Sequence, residues 1–279
     1  MRLGISHVLP HETAQQWAKD QRALGLSAAV FPVDYTAKDS VIAEYAAACR
    51  DHGLLIAEVG AWSNPVSEIA EQREAALKKC IGQLRLADEL GARCCVNIAG
   101  AFGGARWDGF HRANYTPEAW DATVKSIQYI IDAVHPRNTT YCMEAMQWMI
   151  PDSPQQYLEL MHAVDREAFQ VHIDVTNWVY TPRHYLCSRE FIDEIFDLLG
   201  GGVRSCHLKD SHLGQEMTSL LHEVPVGLGE LDVAHYIERA EALSADMPMI
   251  IEHLSGDQEY LDAIRRVQGI AAGAGVAVK

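Results

Sequence analysis

No apolar run in the 279 residues approaches the roughly 20 needed to cross a bilayer, so no membrane span is expected. Basic residues are scarce, with 23 Lys and Arg against 38 Asp and Glu and a formal net charge of −15. An acidic surface repels phosphate backbones, which argues against nucleic acid and anionic membranes as partners. The seven cysteines (Cys49, Cys80, Cys94, Cys95, Cys142, Cys187, Cys206) are odd in number and include no Cys-x-x-Cys pair. Most fall within strand or helix patterns, so buried free thiols in a reducing cytosol are expected rather than a disulfide framework. The opening MRLGISHVLPHE turns polar too early for a signal peptide, in keeping with a cytoplasmic protein. No Gly-x-Gly-x-x-Gly follows the first apolar run, where SHVLPHET stands, so a dinucleotide-binding sheet lacks its signature. No Pro/Gly/Ser linker or low-complexity stretch divides the chain.

What is present is a repeated alternation. Eight short apolar runs recur: LGISHVL (3–9), LSAAVFPV (26–33), LLIAEVGAW (54–62), RCCVNIAG (93–100), TYCMEAM (140–146), FQVHIDVTN (169–177), VRSCHLKDS (203–211) and PMIIEHL (248–254). Helix-like stretches lie between them, with their own punctuation. Thr116-Pro117 reads as an N-cap and first helical residue, Ser153 and Asp232 as further N-caps, and Gly25 and Gly91 as helix stops. Strands alternating with helices imply parallel βαβ units. Eight of them predict an α/β fold, a single (β/α)₈ TIM barrel, as one domain over residues 1–279 with a ragged tail, GIAAGAGVAVK. The connections 99–116 and 211–231 are the longest and leave the C-terminal ends of strands, where barrel active sites form, so both are candidate lids.

Four late strands each carry an ionisable residue near the C-terminal end: Glu144 in CMEAM, Asp174 in HIDVT, His207 in SCHLK and Glu252 in IIEHL. One such residue in an apolar run is ordinarily capped, salt-bridged or turned to solvent and needs no function. Four in register on successive strands would converge at the barrel mouth. Three carboxylates and an imidazole cannot share a dry pocket without a cation. An oxygen-rich set with one nitrogen suits Mn²⁺ or Mg²⁺ better than thiolate-loving ions. His172, two residues before Asp174, would share its face one layer deeper, as a hydrogen-bonded core histidine rather than a ligand.

The set Glu144, Asp174, His207 and Glu252, with SCHLKD followed by VPVGLGELD, resembles the xylose isomerase-like TIM barrels. That superfamily holds sugar (phosphate) isomerases and epimerases, ketose 3-epimerases, inosose dehydratase and endonuclease IV. The resemblance spans essentially the whole chain. It implies that the four residues bind one divalent ion, Mn²⁺ first, with Mg²⁺, Co²⁺ or Zn²⁺ as alternatives. It also implies that Glu144 and Glu252 flank the substrate and move its proton. Two positions depart from the ketose 3-epimerase pattern. Asn177 stands where a histidine is usual, and Lys209 and His212 stand where an arginine follows the strand-7 histidine. Endonuclease IV needs histidines on the earlier strands, where this chain shows Glu58 and Asn97.

The expected function is a metal-dependent sugar isomerase or epimerase, abstracting a proton α to a carbonyl through a metal-stabilised enediolate. Lys209 is a candidate donor to a substrate oxygen, or else a surface lysine paired with Asp210. Trp62 is a candidate platform for a sugar face, or else a core tryptophan. Asn97 and Asn177 are further candidates for substrate contact, and His253 should point away from Glu252. Acidic Asp257 and Glu259 stand where a phosphate would dock after strand 8, so a non-phosphorylated carbohydrate is expected. One alternative keeps the site but ends in elimination, as a dehydratase or lyase acting on a keto-sugar, inosose or keto-glycoside. A second is a non-catalytic sugar-binding or accessory subunit. Association into a homo-oligomer fits such barrels, although no stretch identifies the surface.

Overall fold

A computed structural model describes residues 1–279. The first half runs β1 (Arg2–Ile5), α1 (Ala14–Ala23), β2 (Ala28–Val30), α2 (Asp39–His52), β3 (Leu55–Gly60), α3 (Ala70–Leu90), β4 (Cys94–Asn97) and α4 (Pro117–Val134). The second begins with β5 (Tyr141–Met143), α5 (Pro154–Val164), β6 (Phe169–Asp174), α6 (Val175–Trp178), α7 (Pro182–Leu186), α8 (Ser188–Leu199) and β7 (Val203–Leu208). It ends with β8 (Asp210–Leu213), β9 (Leu221–Val224), α9 (Val233–Leu243), β10 (Pro248–Ile251) and α10 (Asp257–Gly273). Eight strands form one sheet in the order β1-β10-β7-β6-β5-β4-β3-β2. Every pairing in it is parallel. The Ser27 N–H donates to the Leu3 carbonyl across 2.9 Å and brings the two ends of the sheet together. The result is a single (β/α)₈ barrel with its helices outside.

Local chemistry sets the boundaries. Thr116, Ser153 and Asp232 accept from the backbone N–H three residues on and cap α4, α5 and α9. Gly91 closes α3 at φ 64°, a left-handed conformation that glycine adopts without steric cost. Of the seven cysteines, all free, six are buried and Cys187 is exposed. Burial pushes the Cys49 and Cys206 thiols up to about 12, so they stay protonated at neutral pH.

Side-chain alternation explains the strand FQVHID. Phe169, Val171 and Ile173 pack into the main hydrophobic core, and Phe169 stacks on Tyr157 of α5. The alternate residues Gln170, His172 and Asp174 therefore face the barrel axis. Polar residues crowd that axis near the C-terminal strand ends, which is where the site lies.

Candidate metal and active site

Glu58 on β3 organises the floor of the site. β3 and β6 are not neighbours in the sheet, so contacts between them cross the barrel interior. His172 Nε2 lies 3.2 Å from Glu58 Oε1, and His207 Nε2 lies 3.1 Å from Glu58 Oε2. Ser205 Oγ also donates to Glu58. Burial would raise this carboxyl, but the charges and hydrogen bonds of His207 and His172 hold it well below the usual carboxylate range. His172 is thus a buried partner of Glu58, one layer beneath the mouth.

Above that floor, one donor atom each from Glu144, Asp174, His207 and Glu252 comes within 4.8 Å of the others, and all four residues are buried. His207 Nδ1 faces Glu252 Oε1 at 2.8 Å, Glu144 Oε2 at 3.5 Å and Asp174 Oδ2 at 4.0 Å. Lys209, which follows His207 on the same strand phase, puts Nζ 2.6 Å from Glu252, 2.8 Å from Asp174 and 3.6 Å from Glu144. These contacts are close, yet Asp174 Oδ2, His207 Nδ1 and Glu252 Oε1 have no partner placed along a hydrogen-bonding direction.

Burial pushes the carboxyls of Glu144, Asp174 and Glu252 up. The charges on His207 and Lys209 overcome it at Glu144 and Glu252, which are held low, whereas Asp174 remains raised. Burial would lower His207 and Lys209, but the surrounding carboxylates hold both well above their ordinary values. With Glu58 included, four carboxylates face one ammonium and two imidazoles, those of His172 and His207. Three donor atoms that make close ion pairs but no directed hydrogen bond, together with this excess of negative charge, fit a divalent cation bound by three carboxylates and one nitrogen.

The donor set opens into a cavity of about 370 Å³, lined by Glu58, Glu144, His207 and Glu252 together with Trp62 and His253. Trp62 is 36% exposed, so it is no core residue. Its ring lies on the wall, 6.5 Å from that of His207. Asn177 Nδ2 donates to Glu144 Oε1 at 2.7 Å, and its Oδ1 accepts from Lys209 at 3.4 Å. It therefore positions Glu144. Lys209 is buried, and Asp210 is not its partner. Asp210 instead accepts from the backbone N–H groups of Ser211, Gly227, Gly229 and Leu231.

Two expectations need correction. Asn97 is fully buried and accepts from the Ser63 N–H at 3.0 Å, while its Nδ2 donates to Cys80 Sγ and Tyr141 Oη. Cys94 and Val96 form their own buried cluster with Cys142, so Asn97 lies on the opposite phase of β4 and meets α3 instead of the cavity. His253 does not turn away from Glu252. β10 ends at Ile251, and His253 adopts φ +60°, which breaks the alternation. Its Nε2 lies 3.7 Å from Glu252 Oε1, and its Nδ1 lies 2.9 Å from Glu223 on β9. The bond with Glu223 raises the His253 pKa.

A family model described as xylose isomerase-like TIM barrel matches residues 17–270. The chain belongs to that family. Solved structures share the fold at low identity. A xylose isomerase-like TIM barrel protein from Mycobacterium smegmatis in complex with magnesium superposes with TM-score 0.69 at 18% identity, covering 96% of this chain and 92% of that one. The 3-keto-D-glucoside 4-epimerase of E. coli gives 0.71 at 16%, with 96% and 99% covered. The D-psicose 3-epimerase of Clostridium cellulolyticum H10, solved with D-tagatose, gives 0.70 at 13%, with 100% of each chain covered. No curated protein is significantly similar to the chain in sequence.

Within this xylose isomerase-like barrel, Glu58 is the site residue that pattern reading left out. The signal was there, since LIAEVG is one more apolar strand interrupted by a single carboxylate. Its significance lies in contacts with His172 and His207, more than a hundred residues away in the chain, and no local pattern reports those.

Proposed function

We propose that this protein is a divalent-metal-dependent sugar isomerase or epimerase that transfers a proton next to a carbonyl. One observation carries the reading: buried donor atoms of Glu144, Asp174, His207 and Glu252 lie within 4.8 Å of one another beside a cavity that Glu144, His207 and Glu252 line. Asp174, His207, Glu144 and Glu252 would hold the ion. Mn²⁺ or Mg²⁺ suits a set of three carboxylates and one imidazole, and the magnesium bound to the Mycobacterium smegmatis relative supports that choice. The ion would supply Lewis acidity at the carbonyl oxygen, which makes the neighbouring C–H acidic enough to ionise.

The chain's own groups do the rest. One of Glu144 and Glu252 takes the proton and the other returns one to the opposite face or the adjacent carbon. Asn177 fixes Glu144, and His207 is oriented by Glu58 from behind. Lys209 supplies a buried positive charge beside both acids, in reach of a substrate oxygen. The epimerase activities of the structural neighbours support a carbohydrate substrate, and the acidic residues at the start of α10 disfavour a phosphorylated one. The loop 99–116 and the β8–β9 hairpin both reach the mouth, through Trp107 and Glu223, and serve as its lids. No helix is long and apolar enough to cross a membrane, and seven free cysteines suit a reducing cytosol.

Metal analysis of the purified protein should find about one divalent ion per chain. Incubation with ketoses, inososes and 3-keto-sugars in deuterated water should then place deuterium at one substrate carbon. Glu144→Gln and Glu252→Gln should each slow this exchange on the order of 10²–10⁴-fold while circular dichroism stays unchanged. Unaltered exchange in both variants would remove the mechanism. Asn177 and Lys209, in place of histidine and arginine, favour elimination as the second reading. A product lighter by the mass of a leaving group would identify it.

A further inference from the structure

A second cavity, of about 410 Å³, adjoins the first and shares Trp62 and Trp107 with it. Its other walls are unlike those of the charged floor. Ala75, Ala76 and Ala105 contribute apolar wall, and Gln72 and Lys79 contribute polar groups. Trp62 and Trp107 are 36% and 42% exposed as residues, which is much apolar side chain to leave in water beside a site full of carboxylates.

Both tryptophans are held in place. A Cβ on Gly60 would lie 2.3 Å from Trp62 Nε1, so the ring folds back over the strand end only because residue 60 is glycine. The Trp62 carbonyl accepts from Lys79 Nζ at 3.1 Å. The Trp107 carbonyl accepts from the Ala101 N–H at 2.7 Å, which pins its loop. Lys79 keeps further N–H groups to offer a ligand, and the Gln72 side-chain amide has donors turned to solvent.

We infer that the substrate is a two-ring molecule, a carbonyl-bearing sugar ring joined to a second neutral ring. The reacting ring sits over Glu144 and Glu252, and the second ring sits in the outer cavity. This rests on the proton-transfer reading of the inner cavity and adds what lies beyond it. Trp62 and Trp107 flank the linkage, the alanine wall accepts a face of the outer ring, and Lys79 and Gln72 donate to its oxygens. A single monosaccharide in the inner cavity would leave the outer cavity, and the parts of Trp62 and Trp107 that line it, wet. Covering them with a ring is worth on the order of tenfold in affinity.

The test compares 3-keto-D-glucose with its phenyl and glucosyl glycosides on the metal-loaded, full-length protein. Affinity is read from intrinsic tryptophan fluorescence and proton exchange from deuterium uptake. The two-ring probes should bind at least about ten times more tightly than the single ring. That ratio should fall to near one in Trp107→Ala and in Ala75→Trp, the second of which fills the outer cavity from an exposed helix position. Equal affinities in the unaltered protein, no binding by any two-ring probe, or a preference that survives both substitutions would overturn the inference. Exchange with the single ring in the absence of a preference leaves the proton-transfer reading standing and sinks only the second subsite. A preference that collapses as expected, with no exchange in any probe, establishes the subsite and sinks the proton-transfer reading.

Discussion

The two nitrogens of His207 have separate duties. Nε2 meets Glu58 at 3.1 Å, and Nδ1 faces the three acidic side chains of the proposed metal set. A carboxylate behind a ligating imidazole fixes the ring and raises its basicity, and removing one commonly costs 10–100-fold in metal affinity. Glu58→Gln keeps the shape and removes the charge. Titration calorimetry with Mn²⁺ should therefore show binding weakened on the order of 10–100-fold in a folded protein, and unchanged affinity would reduce Glu58 to a packing role. Glu144, Asp174, His207 and Glu252 were legible in the sequence because each is one ionisable residue on the inward phase of an apolar strand or just past its end. The same reasoning misplaced Asn97, whose phase is outward, and His253, where the strand has already stopped and alternation no longer holds. Glu58 needed distant contacts to be seen.

At the scale of elements, the long connection after β7 is partly ordered. The sequence suggested an irregular lid over 211–231, but Asp210–Leu213 and Leu221–Val224 pair antiparallel as a hairpin. DSHL and LHEV are short and half polar, and the tip between them lacks an Asn-Gly or Asp-Gly turn, so the pattern shows no hairpin and Asp210 and Ser211 read only as the end of the run 203–211. The segment after the hairpin is tied to Asp210, whose carboxylate accepts from the N–H groups of Gly227 at 2.9 Å, Gly229 at 3.0 Å and Leu231 at 3.2 Å. Gly229 is required there, since a Cβ would fall 2.2 Å from the Ser211 carbonyl oxygen and 2.3 Å from Asp210 Oδ1. Asp210→Ala leaves these amides without their charged acceptor and should cost about 1–3 kcal/mol. Hydrogen exchange should then rise across 225–231 while the barrel strands stay protected. Equal protection in the variant and the parent would show that the loop is held by other contacts. The hairpin itself reaches the site through Glu223 and His253, so loosening this segment should raise KM before it lowers kcat.

For the molecule as a whole, eight apolar runs and their intervening helix signals sufficed to predict a barrel. The strands are shorter than the runs, because the last residues of several runs leave the ladder to build the mouth. The sequence says less about how the ring shuts. β1 and β2 stand at opposite ends of the sheet order and meet chiefly through the Ser27 N–H to Leu3 carbonyl bond of 2.9 Å. Closure brings the two backbones so near that a Cβ on Gly4 would lie 2.7 Å from the Ala28 carbonyl oxygen and 2.6 Å from Ile250 Cδ1. The isoleucine methyl can rotate away, whereas the carbonyl belongs to β2 and cannot move without opening the seam. Gly4→Ala should therefore destabilise by about 1–3 kcal/mol, as overpacking does in a filled core. Gly269 in α10 provides the comparison, since a Cβ there meets nothing within 4 Å. Alanine at that helical position should be neutral or stabilising by roughly 0.5–1 kcal/mol. Urea unfolding of the two variants beside the parent separates the cases: a loss confined to Gly4→Ala locates the tight seam between β1 and β2, and equal midpoints would mean that the barrel closes with room to spare.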